Sequence, residues 1–108
     1  MVDPAVVTVV NRYLSALRGA GIVVDQAVIF GSQARGEAHE WSDIDLLIVA
    51  AQFDDRRDRS TVNLLWQLAA RVDSRIEPLP CGLRQWRDDD GSAIIEIARR
   101  EGAVLRAA

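Results

Sequence analysis

The chain has 108 residues, 49% hydrophobic and 27% charged, with 13 basic against 16 acidic side chains and a net charge of −3. This is the composition of one ordinary globular domain, able to bury roughly 60–65% of its unfolded surface, and it lacks the broad cationic surface that strong nucleic-acid binding needs. All thirteen basic residues are arginine, which excludes Schiff-base chemistry and a phosphate loop built on lysine. The single Cys81 excludes an internal disulfide and a cysteine metal cluster, and reads as a small apolar filler. No apolar run approaches the ~20 residues of a membrane span, and the N-terminus carries no leader pattern. The expectation is therefore a single domain over residues 1–108, cytoplasmic and without membrane contact.

The first helix is announced by Asp3 and Pro4, a side-chain acceptor followed by a residue suited to the first helical position. Val6, Val10, Tyr13, Leu14 and Leu17 recur at helical spacing, and Gly19 and Gly21 end the run. Residues 23–30 are β-rich and short and predict a strand. A Gly-Ser turn and a short helix over 33–37 follow, then a polar loop over 38–42 containing His39 and Trp41. His39 reads as a loop residue; Trp41 fits either the core or a ligand pocket. Residues 43–49 predict the second strand. Asp54 or Asp55 is expected to cap the next helix, whose apolar face is Val62, Leu65, Trp66, Ala69 and Val72. The arginines of residues 56–59 read as its solvated start.

A third strand is predicted over 74–79, closed by Pro78 and Pro80 and confined by them to an edge or exit. Residues 81–90 connect, with a helical turn around 83–86. Gly91 and Ser92 open a last helix that buries Ile94, Ile95, Ile97 and Ala98 and ends at Gly102, and residues 103–106 add a short strand. This order predicts an α/β fold of two layers, with a mixed sheet of about four strands and helices mainly on one face.

Residues 31–50, GSQARGEAHEWSDIDLLIVA, concentrate the chemistry. Side chains alternate along a strand, so Asp43 and Asp45 share a face, roughly 7 Å apart along the chain. Two carboxylates at the mouth of an apolar strand repel each other, and a divalent cation removes the conflict; oxygen-only ligands suit Mg²⁺ or Mn²⁺. The turn at Gly31 and Ser32, opening a helix, offers backbone N–H groups to an anion. Metal carboxylates beside a phosphate cradle read as phosphoryl or nucleotidyl transfer. Taken singly, the same residues also fit an ordinary strand-to-helix turn and a solvated strand end.

The pattern Gly31-Ser32-x-Ala34-Arg35-Gly36, then Ser42-Asp43-x-Asp45-Leu46, resembles the minimal nucleotidyltransferases of the DNA-polymerase-beta-like superfamily. The matching stretch covers about a fifth of the chain, and the flanking elements also fit. The resemblance implies metal-dependent transfer of NMP from an NTP, with ATP the expected donor and two Mg²⁺ ions at the site. Asp43 and Asp45 are then the metal-binding and catalytic carboxylates, and Gly31, Ser32 and Arg35 the nucleotide-binding residues. Arg35 can grip phosphate oxygens or pair with Glu37 or Asp43. Family members carry a third carboxylate on a neighbouring strand. Glu77, a charged residue between Ile76 and Leu79, is the candidate for that metal and catalytic role, with Asp73 second; the family often has aspartate there. Chains of this size resemble the antitoxin half of toxin–antitoxin pairs, whose partner is a HEPN-domain toxin adenylylated on a tyrosine. About 108 residues build an NTP site and little else, so another chain, or a second copy in a homo-oligomer, is expected to supply the acceptor surface. Two other readings stand beside this one: a non-catalytic antitoxin that neutralises its partner by covering it, and a transferase acting on a small molecule such as an antibiotic.

Overall fold

The computed structural model describes residues 2–55, 58–88 and 91–106. Helix α1 (Pro4–Gly19) begins as its sequence requires: the Asp3 carboxylate accepts from the Ala5 N–H at 2.8 Å, with Pro4 at the first helical position. Its buried residues are Val6, Val10, Tyr13, Leu14 and Leu17, the stripe that the periodicity picks out. Strand β1 (Gln26–Phe30) is shorter than expected, because the Val23 amide is drawn instead to the Gln52 side chain and Val23 stays exposed. Helix α2 (Ser32–Arg35) is a single turn stopped by Gly36, whose φ of 72° is the left-handed conformation that glycine adopts freely.

Strand β2 (Ile44–Ala50) leads through a 3₁₀ turn (Ala51–Asp54) to α3 (Arg59–Val72). The cap of α3 is Asp58, which accepts from Thr61 N–H at 3.0 Å, and not Asp54 or Asp55. Asp54 caps a different helix, α4 (Leu83–Asp88), by accepting from Arg84 N–H at 3.1 Å. Arg56 and Arg57, of the arginine cluster noted above, lie outside the described residues. In α3 the stripe at 65, 69 and 72, widened by Leu64 and Leu68, turns Trp66 away from the core, and it is exposed where burial was expected.

Strand β3 (Ile76–Gly82) runs straight through Pro78 and Pro80 instead of ending at them. The sheet order is β3-β2-β1-β4, with β3 at an edge, parallel to β2. Ile44 N–H donates to Arg75 O at 2.8 Å, so the ladder turns the amides of Glu77, Leu79 and Cys81 toward β2 and positions 78 and 80 outward. Both prolines thus remove donors that had no partner to lose. Helix α5 (Ala93–Glu101) is capped by Ser92; it buries Ile95 and Ala98 with Ile97 half-buried, whereas Ile94 is exposed, contrary to expectation. Strand β4 (Ala103–Arg106) pairs antiparallel with β1, as β2 does on the other side.

The result is an α/β fold with a four-strand mixed sheet. Alternation along the strands separates two apolar layers. Ala27, Ile29, Ile44, Leu46, Ile48 and Ile76 pack under α1 and α3, where the Tyr13 hydroxyl donates to Leu65 O at 2.9 Å and joins the two helices. Burial pushes the Tyr13 phenol far up, so it stays a neutral donor. On the other face Val28, Leu47, Val49 and the buried Cys81 meet Ile95 and Ala98 of α5, with Leu83 and Trp86 of α4 alongside. The two long helices therefore share one face. The second face is covered at one end and carries charged side chains at the other. No described helix is long and apolar enough to cross a membrane.

Candidate active site

Three carboxylates meet on the second face, where β2 and β3 begin. Asp45 lies opposite Phe30 of β1 on one side and Glu77 of β3 on the other. Both acids belong to the parity that buries Leu47 and Val49 of β2 and Cys81 of β3 further along. Asp43 immediately precedes β2. Burial pushes the Glu77 carboxyl above the ordinary glutamate value, and the charge of Asp43, followed by a hydrogen bond and charge from Asp45, pushes the same way. None of the three forms a salt bridge with a described arginine.

Among the described residues, no three carboxylate, imidazole or thiolate groups are gathered into a finished metal cage. Yet Glu77 is within reach of both aspartates. The two facts agree if like charges relax apart until a cation draws their oxygens together. The donor set is oxygen-only, same-faced and without an internal counter-charge, and so fits a hard divalent cation.

The turn before α2 is stacked on this cluster. Gly31 has a φ of 73°, and a Cβ there would overlap the Asp45 Oδ2. Glycine is required twice over, for the backbone conformation and for the carboxylate that occupies the space of a side chain. Beyond it, Ala34 and Arg35 N–H donate to Gly31 O at 3.1 and 3.2 Å, closing the single turn. The preceding amides of Ser32 and Gln33 have no helical carbonyl to reach.

Arg35 is held by Glu37 at 3.1 Å and by Glu101 at 3.4 Å, so of its two sequence readings the structure contains the ion pair with Glu37. Those hydrogen bonds raise its already high pKa. Asp73, the second candidate for the third carboxylate, caps the end of α3 and is gripped twice by Arg75, Nε to Oδ1 at 3.0 Å and Nη2 to Oδ2 at 2.8 Å. The guanidinium holds Asp73 below the usual aspartate value. Its charge is already matched, and Glu77, directly beside Asp45, is the carboxylate the fold brings to the aspartates.

The loop before Asp43 is tied into a tight turn: Ser42 N–H donates to His39 O at 3.0 Å, and His39 N–H donates to Ser42 Oγ at 2.9 Å. His39 Nδ1 accepts from Trp41 N–H at 3.3 Å, the part of a loop residue. Trp41 is 78% exposed and takes no part in the core. Behind this loop a cleft of about 430 Å³ is lined by residues including Asp3, Pro4, Gln33, His39 and Arg75; it excludes all three carboxylates. The sequence reading missed Gln33, which fell in the variable position between Ser32 and Ala34. Its side chain is buried, and its Nε2 donates to Ser42 O and Asp43 O, both at 3.4 Å. A glutamine in a turn carries no signal of burial, so only the fold exposes this role.

The architecture is that of a nucleotidyltransferase fold, an α/β domain with acidic side chains where β2 and its edge neighbour β3 begin. The chain belongs to the nucleotidyltransferase domain family, whose model matches residues 10–99. Solved structures agree. A chain of a toxin–antitoxin structure with AMP-PNP is 25% identical at a TM-score of 0.62, over 91% of this chain and 73% of that one. A mutant of the MntA–HpeT toxin–antitoxin pair is 27% identical at 0.61, over 91% and 72%. A chain described as a nucleotidyltransferase from Sulfolobus solfataricus shares the fold at a TM-score of 0.58 and 14% identity, over 90% and 76%. No curated protein matches the chain significantly.

Proposed function

We propose that the chain transfers AMP from ATP, with Mg²⁺, to a hydroxyl of a partner protein, and that it is the antitoxin of a pair with a HEPN-domain toxin. The observation that carries the transferase chemistry is the adjacency of Asp45 and Glu77 across β2 and β3, with the Gly31 turn lying over the Asp45 carboxylate. Support for the partner comes from the toxin–antitoxin neighbours, at 25% and 27% identity.

Asp43 and Asp45 would hold Mg²⁺, with Glu77 completing the set. When bound, the metal neutralises triphosphate charge and makes the acceptor hydroxyl more acidic. The Gly31 and Ser32 turn binds phosphate oxygens through backbone amides. The acceptor oxygen attacks the α-phosphorus, a new P–O bond forms, and the bond to pyrophosphate breaks. Glu77, beside Asp45 across the ladder, takes the hydroxyl proton. Arg35 reaches a phosphate only by exchanging Glu37 or Glu101 for it, a trade of one anion for a more highly charged one.

The test incubates the chain with labelled ATP, Mg²⁺ and a HEPN protein encoded beside it. Label on the partner, absent with Asp45→Asn, is the expected result. Partner binding without label by the native chain would replace transfer with neutralisation by covering, and label on an aminoglycoside by the chain alone would move the acceptor to small molecules.

A further inference from the structure

Asp43 and Asp45 are anchored differently. Asp45 sits inside the ladder, flanked by paired strands on both sides, whereas Asp43 precedes β2 and depends on the loop for its place. Two attachments fix that loop from outside it. Arg75 Nη1 donates to Glu40 O at 3.4 Å, and Gln33 Nε2 donates to the carbonyls of Ser42 and Asp43. Gln33 is 4% exposed and, with Gln26, one of two buried polar side chains among the described residues. Burying an amide is costly unless it is bonded, so the position is not a neutral filler. Gln33 belongs to α2, the turn that follows Gly31, and its bonds end on the residue that bears the outer carboxylate.

We propose that Gln33 is a positioning residue, which couples the turn at Gly31 to Asp43 and sets that carboxylate's distance from Asp45 and Glu77. The proposal rests on the metal-dependent reading above. A neutral amide suits the task, since it holds two carbonyls without neutralising the carboxylates that must attract a cation. Partners that orient metal ligands from behind typically alter metal affinity by ~10–100-fold when removed.

The experiment compares the native chain with Gln33→Met, which keeps the volume and loses the donor, Gln33→Glu, which turns donor into acceptor, and Gln33→His, which above neutral pH restores an uncharged N–H donor. In metal-free buffer, amide hydrogen exchange is expected to quicken by ~10-fold across residues 40–46 in the Met and Glu variants, to return toward native in the His variant, and to stay unchanged in α1. The Mg²⁺ concentration that half-saturates ATP binding should rise ~10-fold in the first two and recover in the third. Exchange that is unchanged over 40–46, or quickened equally throughout the chain, overturns the proposal, as does a His variant that restores nothing. If Mg²⁺ has no effect on ATP binding by the native chain, the proposed function falls, and the exchange comparison alone upholds or overturns the placement of Asp43 by Gln33.

Discussion

Asp73 and Glu77 stand four residues apart on either side of the start of β3, and only Asp73 has a cation of its own. Arg75 grips Asp73 through two nitrogens and holds its pKa down. Glu77, two residues on, faces Asp45 and Asp43 with no described arginine paired to any of them, and its pKa is pushed up. An acid whose task is to end a helix is neutralised where it stands. Acids left to repel one another across adjacent strands destabilise the empty fold, and the cost makes sense if a cation joins them.

The sharpest way to break this contrast is to remove an acid from the cluster. Asp45→Asn or Asp43→Asn is expected to lower nucleotide transfer by at least ~10³-fold, in a single-turnover assay with labelled ATP, while melting in metal-free buffer stays level or rises. Glu77→Gln should lower the transfer rate by ~10²-fold with ATP affinity nearly unchanged, the mark of an interaction made mainly in the transition state. Gly31→Ala tests the stacking of turn on carboxylate: its Cβ meets Asp45 at a φ that disfavours a side chain, so thermal unfolding should show a loss of about 1–3 kcal/mol, and ATP binding should weaken with it. On the other side of the comparison Asp73→Asn, which keeps one side-chain oxygen as an acceptor for a pair 28% and 20% exposed, is expected to cost about 1 kcal/mol in stability and to leave transfer at the native rate. A rate lost in the Asp73 variant and kept in the Glu77 variant would exchange the roles of the two acids.

Most of the fold was legible because its signals are local. Asp3 with Pro4, the apolar stripe of α1, and the Asp43-Ile44-Asp45 alternation each act over a few residues. The misplaced features depend on distant partners. Asp54 looked like the cap of α3 but serves α4, thirty residues on, and Trp66 left the core because Leu64 and Leu68 widened the buried stripe away from it. Pro78 and Pro80 read as the end of a strand, since sequence alone does not say which way an edge strand turns its amides. At the site, parity put Asp43 and Asp45 together and the sequence ranked Glu77 ahead of Asp73; what it did not contain was the register that sets Glu77 beside Asp45, or Arg75 already engaged with Asp73. Gln33 had no pattern to betray it, because its partners are main-chain carbonyls.

The central claim is that Asp43, Asp45 and Glu77 form a cluster completed by a divalent cation, and the most direct test is melting temperature against pH with and without Mg²⁺, for the native chain and Glu77→Gln. Glu77 holds its proton more tightly folded than unfolded, so the stability its neutral form confers is present below the ordinary glutamate value of about 4.3 and is lost as pH rises through its raised folded value. Relative to Glu77→Gln, the metal-free native chain should therefore lose melting temperature through that window, and Mg²⁺ should restore it in the native chain far more than in the variant. Parallel curves for the two proteins, untouched by Mg²⁺, would contradict the account.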